Sequence, residues 1–100
     1  MKYEVSPRFD REYGALPDEH KSLVRAAIPV FNEAAERFGP DRDAAWPLRV
    51  SPMKGHDRVW EMSWNFRRPD GRATFEWIKV DGEWAIRWRR IGSHAIFGDP

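Results

Sequence analysis

Three runs of alternating residues, Val59–Phe66, Arg72–Val80 and Trp84–Ile91, are joined by the turn sequences Arg68-Pro69-Asp70-Gly71 and Asp81-Gly82. Side chains on a strand point alternately to two faces, and an Asp-Gly pair between two such runs favours a two-residue hairpin turn. The pattern predicts an antiparallel meander and fixes a register for it. Across Asp81-Gly82, Val80 should oppose Glu83, Ile78 should oppose Ala85, Glu76 should oppose Arg87, and Thr74 should oppose Arg89. Across residues 68–71, Arg67 should oppose Arg72, Asn65 should oppose Thr74, and Ser63 should oppose Glu76. One face then collects Trp60, Met62, Trp64, Phe66, Phe75, Trp77, Trp84, Ile86 and Trp88. The other collects Glu61, Ser63, Asn65, Arg67, Arg72, Thr74, Glu76, Arg87 and Arg89. A one-residue slip would invert every assignment, so agreement across three strands supports the register.

The apolar face needs a cover, and the N-terminal half supplies it. A short strand at residues 2–5 is expected to end at Ser6-Pro7, where a capping serine and a first-turn proline start a helix that closes near Gly14. A second helix should run from Pro17, with Asp18 and Glu19 at the positive end of its dipole, to Gly39-Pro40. Leu23, Val24, Ala27, Ile28, Phe31, Ala34, Ala35 and Phe38 form its apolar stripe, and Pro29 is expected to kink or divide it. Residues 39–45 read as a polar connector, 46–50 as a further strand, and 51–57 as a loop. The fold class is α+β: an N-terminal strand and a two-helix hairpin packed on one face of a twisted antiparallel sheet, whose other face is polar and open.

At 100 residues the chain is one domain, spanning 1–100, because half of it could not bury enough surface to offset chain entropy. Six tryptophans and six phenylalanines must therefore supply much of the core. The net charge of +1 conceals an asymmetry: residues 1–45 carry 7 basic against 9 acidic side chains, and residues 46–100 carry 10 against 7. The absence of cysteine excludes disulfides and thiolate metal sites, and no apolar run approaches a bilayer span. A cytoplasmic protein without a membrane segment or a signal peptide is expected.

Regular strand spacing assigns the tryptophans to packing rather than to base stacking, with Trp46 outside the register. On the polar face, Arg87 opposite Glu76 reads as an ordinary cross-strand ion pair. Arg67 facing Arg72 would be a like-charge pair that an anion relieves, so Arg67, Arg72 and Arg89 are the stronger phosphate candidates. Histidine occurs only at 20, 56 and 94. His20 reads as a surface residue, and no metal-ligand spacing is present, so neither metal nor cofactor is expected. His56 follows Gly55 and His94 follows Gly92-Ser93, where a single imidazole near neutral pKa can carry a proton.

The segments "SPRFDREYGALPDEHK", "LRVSPMKGHDRVWEM" and "WRRIGSHAIF" together resemble the RelE/ParE superfamily of toxins from bacterial toxin–antitoxin systems, over nearly the whole chain. The resemblance implies a strand, two helices and an antiparallel sheet. It also implies a ribosome-dependent mRNA endoribonuclease that uses no metal and is silenced by an antitoxin in a hetero-oligomer. By the glycine-x-histidine close of the YafQ-like branch, His94 takes the position of a catalytic histidine. Lys54 matches a basic residue in the loop before the third strand, and His56 lies near that branch's histidines. Phe97 falls where other members carry an aromatic residue that orients a base.

Such chemistry needs one group to accept the 2′-hydroxyl proton, one to protonate the leaving 5′-oxygen, and cations for the phosphorane charge. The resemblance gives His94, Lys54 and His56 to catalysis and Phe97 to substrate; the polar face of the register adds Arg89 to catalysis, Glu76 as an alternative second proton carrier, and Arg67, Arg72 and Arg87 to phosphate binding. The low net charge and the acids Glu61 and Glu76 depart from a strongly basic RNA-docking surface. A gyrase inhibitor of the ParE kind and a non-catalytic RNA- or protein-binding module are the alternatives.

Overall fold

The computed structural model describes residues 1–67 and 70–100, and of these the side chain of His94 lies outside the description. The chain runs β1 (Tyr3–Val5), α1 (Pro7–Gly14), α2 (Asp18–Phe38), β2 (Ser51–Pro52), β3 (Trp60–Asn65), β4 (Gly71–Val80) and β5 (Glu83–Ser93), and closes in a 3-10 helix, His94–Gly98. The Ser6 hydroxyl accepts from the Phe9 amide and so caps α1, as the Ser-Pro pair predicts. Helix α2 stays undivided through Pro29. Pro29 is exposed, so the backbone bond it removes lies on the solvent side, while Ala27 and Phe31 on the buried side hold the helix to the sheet. Leu23, expected in the stripe, is exposed instead.

Five strands form one sheet in the order β1-β5-β4-β3-β2. Strand β1 lies parallel to β5, which makes the sheet mixed rather than wholly antiparallel. The Asp81-Gly82 hairpin has the predicted pairs Val80–Glu83, Ile78–Ala85 and Glu76–Arg87. Beyond them the register departs from expectation. Thr74 opposes Arg90, Phe75 opposes Trp88, and Arg89 is the extra residue of a bulge. The bulge restores Ile91 to the core, where strict alternation would have put Arg90.

The β3–β4 pairing is also displaced. Asn65 opposes Gly71, Ser63 opposes Arg72, and Glu61 opposes Thr74, with a register irregularity between Ser63 and Asn65. Arg68 and Pro69 of the predicted turn lie outside the described residues. From Trp60 to Ser63 the displacement is four positions, an even number, so those face assignments survive; at Asn65 it is three, and with Arg72 opposite Ser63 the Arg67–Arg72 like-charge pair does not form. No strand forms over 46–50: Pro47 has no amide to donate, and Leu48 and Arg49 take positive φ of 59° and 48°. Pairing starts later, at β2, inside the predicted loop.

Helix α2 packs on the aromatic face through Phe31, whose ring centroid lies 5.1 Å from Phe75 and 5.0 Å from Trp88. Trp46 comes from the connector to join them, 6.0 Å from Phe31 and from Trp60, with its indole N–H donating to the Asp41 carbonyl at 2.8 Å. Phe66 and Trp84, placed on the core face by alternation, are 51% and 42% exposed. The polar face is not open. Ser63, Asn65, Arg72 and Thr74 are buried, and the C-terminal segment crosses the face with Ile96 buried against it.

Two glycines in this sheet are set by space. A Cβ on Gly71 would stand 2.5 Å from the Trp64 indole, and one on Gly92 would stand 2.9 Å from Ile96. Gly71→Ala should therefore cost about 1–3 kcal/mol in denaturant unfolding, as overpacked cores do. Gly14→Ala meets nothing within 4 Å and should leave stability unchanged or slightly raised.

Candidate functional site

The arginines of β5 meet the C-terminal segment at the polar face, and each of them is already partnered. Arg87 bonds Glu4 of β1 and, at 2.6 Å, Glu76 of β4. Arg89, at the bulge, reaches Glu76 at 3.4 Å and donates through Nε to the Pro100 carbonyl at 3.1 Å. Arg90 is held by both oxygens of Glu12 on α1 and donates to the Asp99 carbonyl. Arg8 pairs with the Asp99 carboxylate at 2.9 Å. Four arginines thus meet four carboxylates, and the arginines line a groove of about 230 Å³ together with Ser6, Asp99 and Pro100.

Hydrogen bonds drive the electrostatics. Donation to Glu4 and Glu76 raises the Arg87 pKa, and donation to Glu12 raises that of Arg90, so both stay charged at any accessible pH. The Arg8 hydrogen bond holds the Asp99 carboxyl below its ordinary value. Beneath the segment, the buried Thr74 hydroxyl donates to the Pro100 carbonyl at 3.0 Å. An anion enters this groove only by taking the place of carboxylates and carbonyls that the chain itself supplies.

The other predicted residues are distributed as follows. Strand β5 continues through Gly92, which opposes Arg72, to Ser93, which opposes Gly71. The strand therefore does not break at the glycine, whose missing Cβ makes room for Ile96. His94 begins the 3-10 helix, with the Ser93 hydroxyl accepting from the Ala95 amide, and its imidazole lies outside the description. Phe97 sits half-buried in the same helix. Arg72 is buried and paired with Asp70 at 3.3 Å, whereas Arg67, just past the end of β3, is exposed.

Lys54 and His56 occupy an exposed loop between β2 and β3, in a groove of about 510 Å³ shared with Arg42 and Asp57. That loop adjoins Trp60, which opposes Phe75, while Ser93 opposes Gly71. Four residues of β4 separate the two levels, about 13 Å at strand rise, and two strand spacings separate them laterally. The fold groups Arg67, Arg72, Ser93 and the start of the 3-10 helix at one end of the sheet and places Lys54 with His56 at the other.

Alternation missed Arg90, Glu12, Arg8 and Asp99. Arg90 reaches the face only because the bulge turns it there, and the other three lie on elements whose docking no strand period encodes. Among the described residues no helix is long and apolar enough to cross a membrane.

The architecture is similar to a solved structure, the YoeB/ParE toxin from Agrobacterium tumefaciens, with a TM-score of 0.64 over 94% of this chain and 99% of that one, at 14% sequence identity. No protein-family model and no curated protein sequence matches the chain. The chain therefore has the RelE/ParE-like toxin fold.

Because the Asp99 carboxyl is depressed in the folded chain, its contribution to holding the C-terminal segment is complete above about pH 3.8 and is lost as pH falls through the lower folded value. Arg8→Ala should return the carboxyl towards 3.8 in an NMR titration and speed exchange of the Asp99 amide, which donates to Ile96.

Proposed function

We propose that the chain is the toxin of a toxin–antitoxin pair and cleaves mRNA on the ribosome, at the end of the sheet where β5 gives way to the 3-10 helix. The observation that carries this reading is the shared fold over 94% of the chain with a YoeB/ParE toxin. It is supported by a histidine at the first position beyond Ser93, at the end of the sheet that also carries the cations Arg67 and Arg72. The ribose 2′-oxygen attacks the adjacent phosphorus as its proton leaves, and the 5′-oxygen departs as it gains one. A 2′,3′-cyclic phosphate and a 5′-hydroxyl result.

His94 carries one of these protons. Arg67 holds phosphate, since it is exposed and has no ion pair among the described residues, and Phe97 orients a base. Arg72, Arg87 and Arg89 are tied to Asp70, Glu4 and Glu76, and each contacts a phosphate only by exchanging a carboxylate for it. Lys54 and His56 steer the strand or the ribosomal RNA from the far end of the sheet. The acting partners are the ribosome, mRNA and an antitoxin that forms a hetero-oligomer with the chain in the cytoplasm.

A second reading, inhibition of DNA gyrase without nuclease chemistry, is favoured by one observation. The β5 arginines are neutralised within the chain rather than left for a phosphorane.

Induction without the antitoxin in a bacterial host should arrest growth and cut translated mRNA. His94→Ala should lower cleavage by about 10²–10⁴-fold, as loss of a general acid or base does. Intact mRNA with accumulating DNA breaks would give the case to gyrase.

A further inference from the structure

The groups that the β5 face lacks, free cations beside an exposed ring, occur at the margin of β3. Phe66 follows the last residue of that strand and is 51% exposed, and the Arg49 guanidinium lies 5.3 Å from its ring centroid. Three features hold the pair in place. Leu48 and Arg49 are successive non-glycine residues at positive φ, a costly arrangement that swings Arg49 over the ring. The Leu48 carbonyl accepts from the Ser63 amide at 2.9 Å, which anchors that loop to β3. The buried Asn65 side chain accepts from the Arg67 amide at 3.1 Å, which fixes the chain on either side of Phe66.

Neither Arg49 nor Arg67 has a carboxylate partner among the described residues. The comparable pair at the hairpin tip, Lys79 over Trp84 at 4.5 Å, is flanked in sequence by Asp81 and Glu83 and would repel a phosphate. Phe66 also lies at the end of the sheet that carries Ser93, through the pairs Asn65–Gly71 and Gly71–Ser93.

We infer that Phe66 and Arg49 form a clamp for one unpaired nucleobase of an RNA strand, with Arg67 holding an adjoining phosphate. A base stacks on an aromatic ring or a guanidinium plane whatever its identity, and a free arginine supplies the phosphate contact. The choice of RNA as the strand rests on the function proposed above, and the clamp itself rests on the margin's geometry. It would hold the strand about two strand spacings from the segment that begins at His94.

The test is equilibrium binding of a fluorescein-labelled, fully 2′-O-methylated single-stranded oligoribonucleotide, which cannot be cleaved, beside the same oligomer with abasic sites throughout. Phe66→Ala should weaken the base-bearing oligomer by about 5- to 150-fold and leave the abasic one unchanged, with the salt slope preserved. Phe66→Trp should restore binding. Arg67→Ala should reduce the salt slope of both oligomers by about 0.7. Thermal unfolding of each variant at the parent temperature shows that the fold is kept. Equal loss on both oligomers, no loss on either, or no binding by the parent protein would overturn the clamp. Binding as expected from a chain that never cuts mRNA would keep the clamp and sink the nuclease.

Discussion

The contact of Phe31 with Phe75 and Trp88 sets the geometry on which the rest depends. Its three centroid distances, 5.1 Å, 5.0 Å and 5.3 Å, join α2 to the two central strands in one triangle of rings. Aromatic rings bury large areas and prefer tilted or edge contacts, so the triangle fixes the angle of α2 over the sheet as well as its distance. Trp46 closes the far side of Phe31, and the connector that carries it must then pass along the outer margin of β3. Leu48 and Arg49 are on that connector. The strained backbone at the margin is a consequence of how the core is completed.

The bulge at Arg89 is the second determinant of the surface. Without it, alternation beyond Trp88 would turn Arg90 into the core and Ile91 out. With it, two arginines oppose Thr74, Ile91 packs inside, and Gly92 presents a bare backbone on which Ile96 rests. The C-terminal segment can then lie across the polar face, its Asp99 and Pro100 carbonyls received by Arg90 and by Arg89 with Thr74. One extra residue in a strand thus decides whether that face is a bare anion surface or a covered, internally neutral one.

This explains which parts of the molecule the sequence made legible. Period-two patterning, the Asp-Gly turn and the Ser-Pro cap are local, and they located both helices and the three long strands. The face assignments of Trp60 to Ser63 survived a displaced β3–β4 pairing because a displacement of four positions leaves parity intact. A bulge, a pairing offset across the turn and the docking of a chain end are settled by packing between distant residues, so alternation carries no trace of them. The candidate site shared this division. The Arg87–Glu76 pair followed from the hairpin register, whereas Glu12, Asp99 and Arg8 come from elements whose meeting depends on the finished core. Phe66 was assigned inward by the same alternation that placed Trp64 correctly, and the irregularity after Ser63 is where that rule lapses.

Neutralised arginines are not equivalent to one another, and their exposure orders them. Arg87 and Glu4 are about half exposed, and an exposed ion pair contributes at most about 1 kcal/mol, so solvent or an incoming phosphate competes with it readily. Arg90 and Glu12 are 16% and 23% exposed, and separating them would leave two poorly solvated charges, a larger cost. The face therefore yields first at Arg87, beside β1, and last at Arg90, beneath the C-terminal segment. Phosphate drawn to this face meets a replaceable partner at its outer edge and a fixed one at its centre. That gradient leaves Arg49 and Arg67 at the β3 margin, which have no ion pair among the described residues, as the positions that an anion reaches without first displacing a carboxylate.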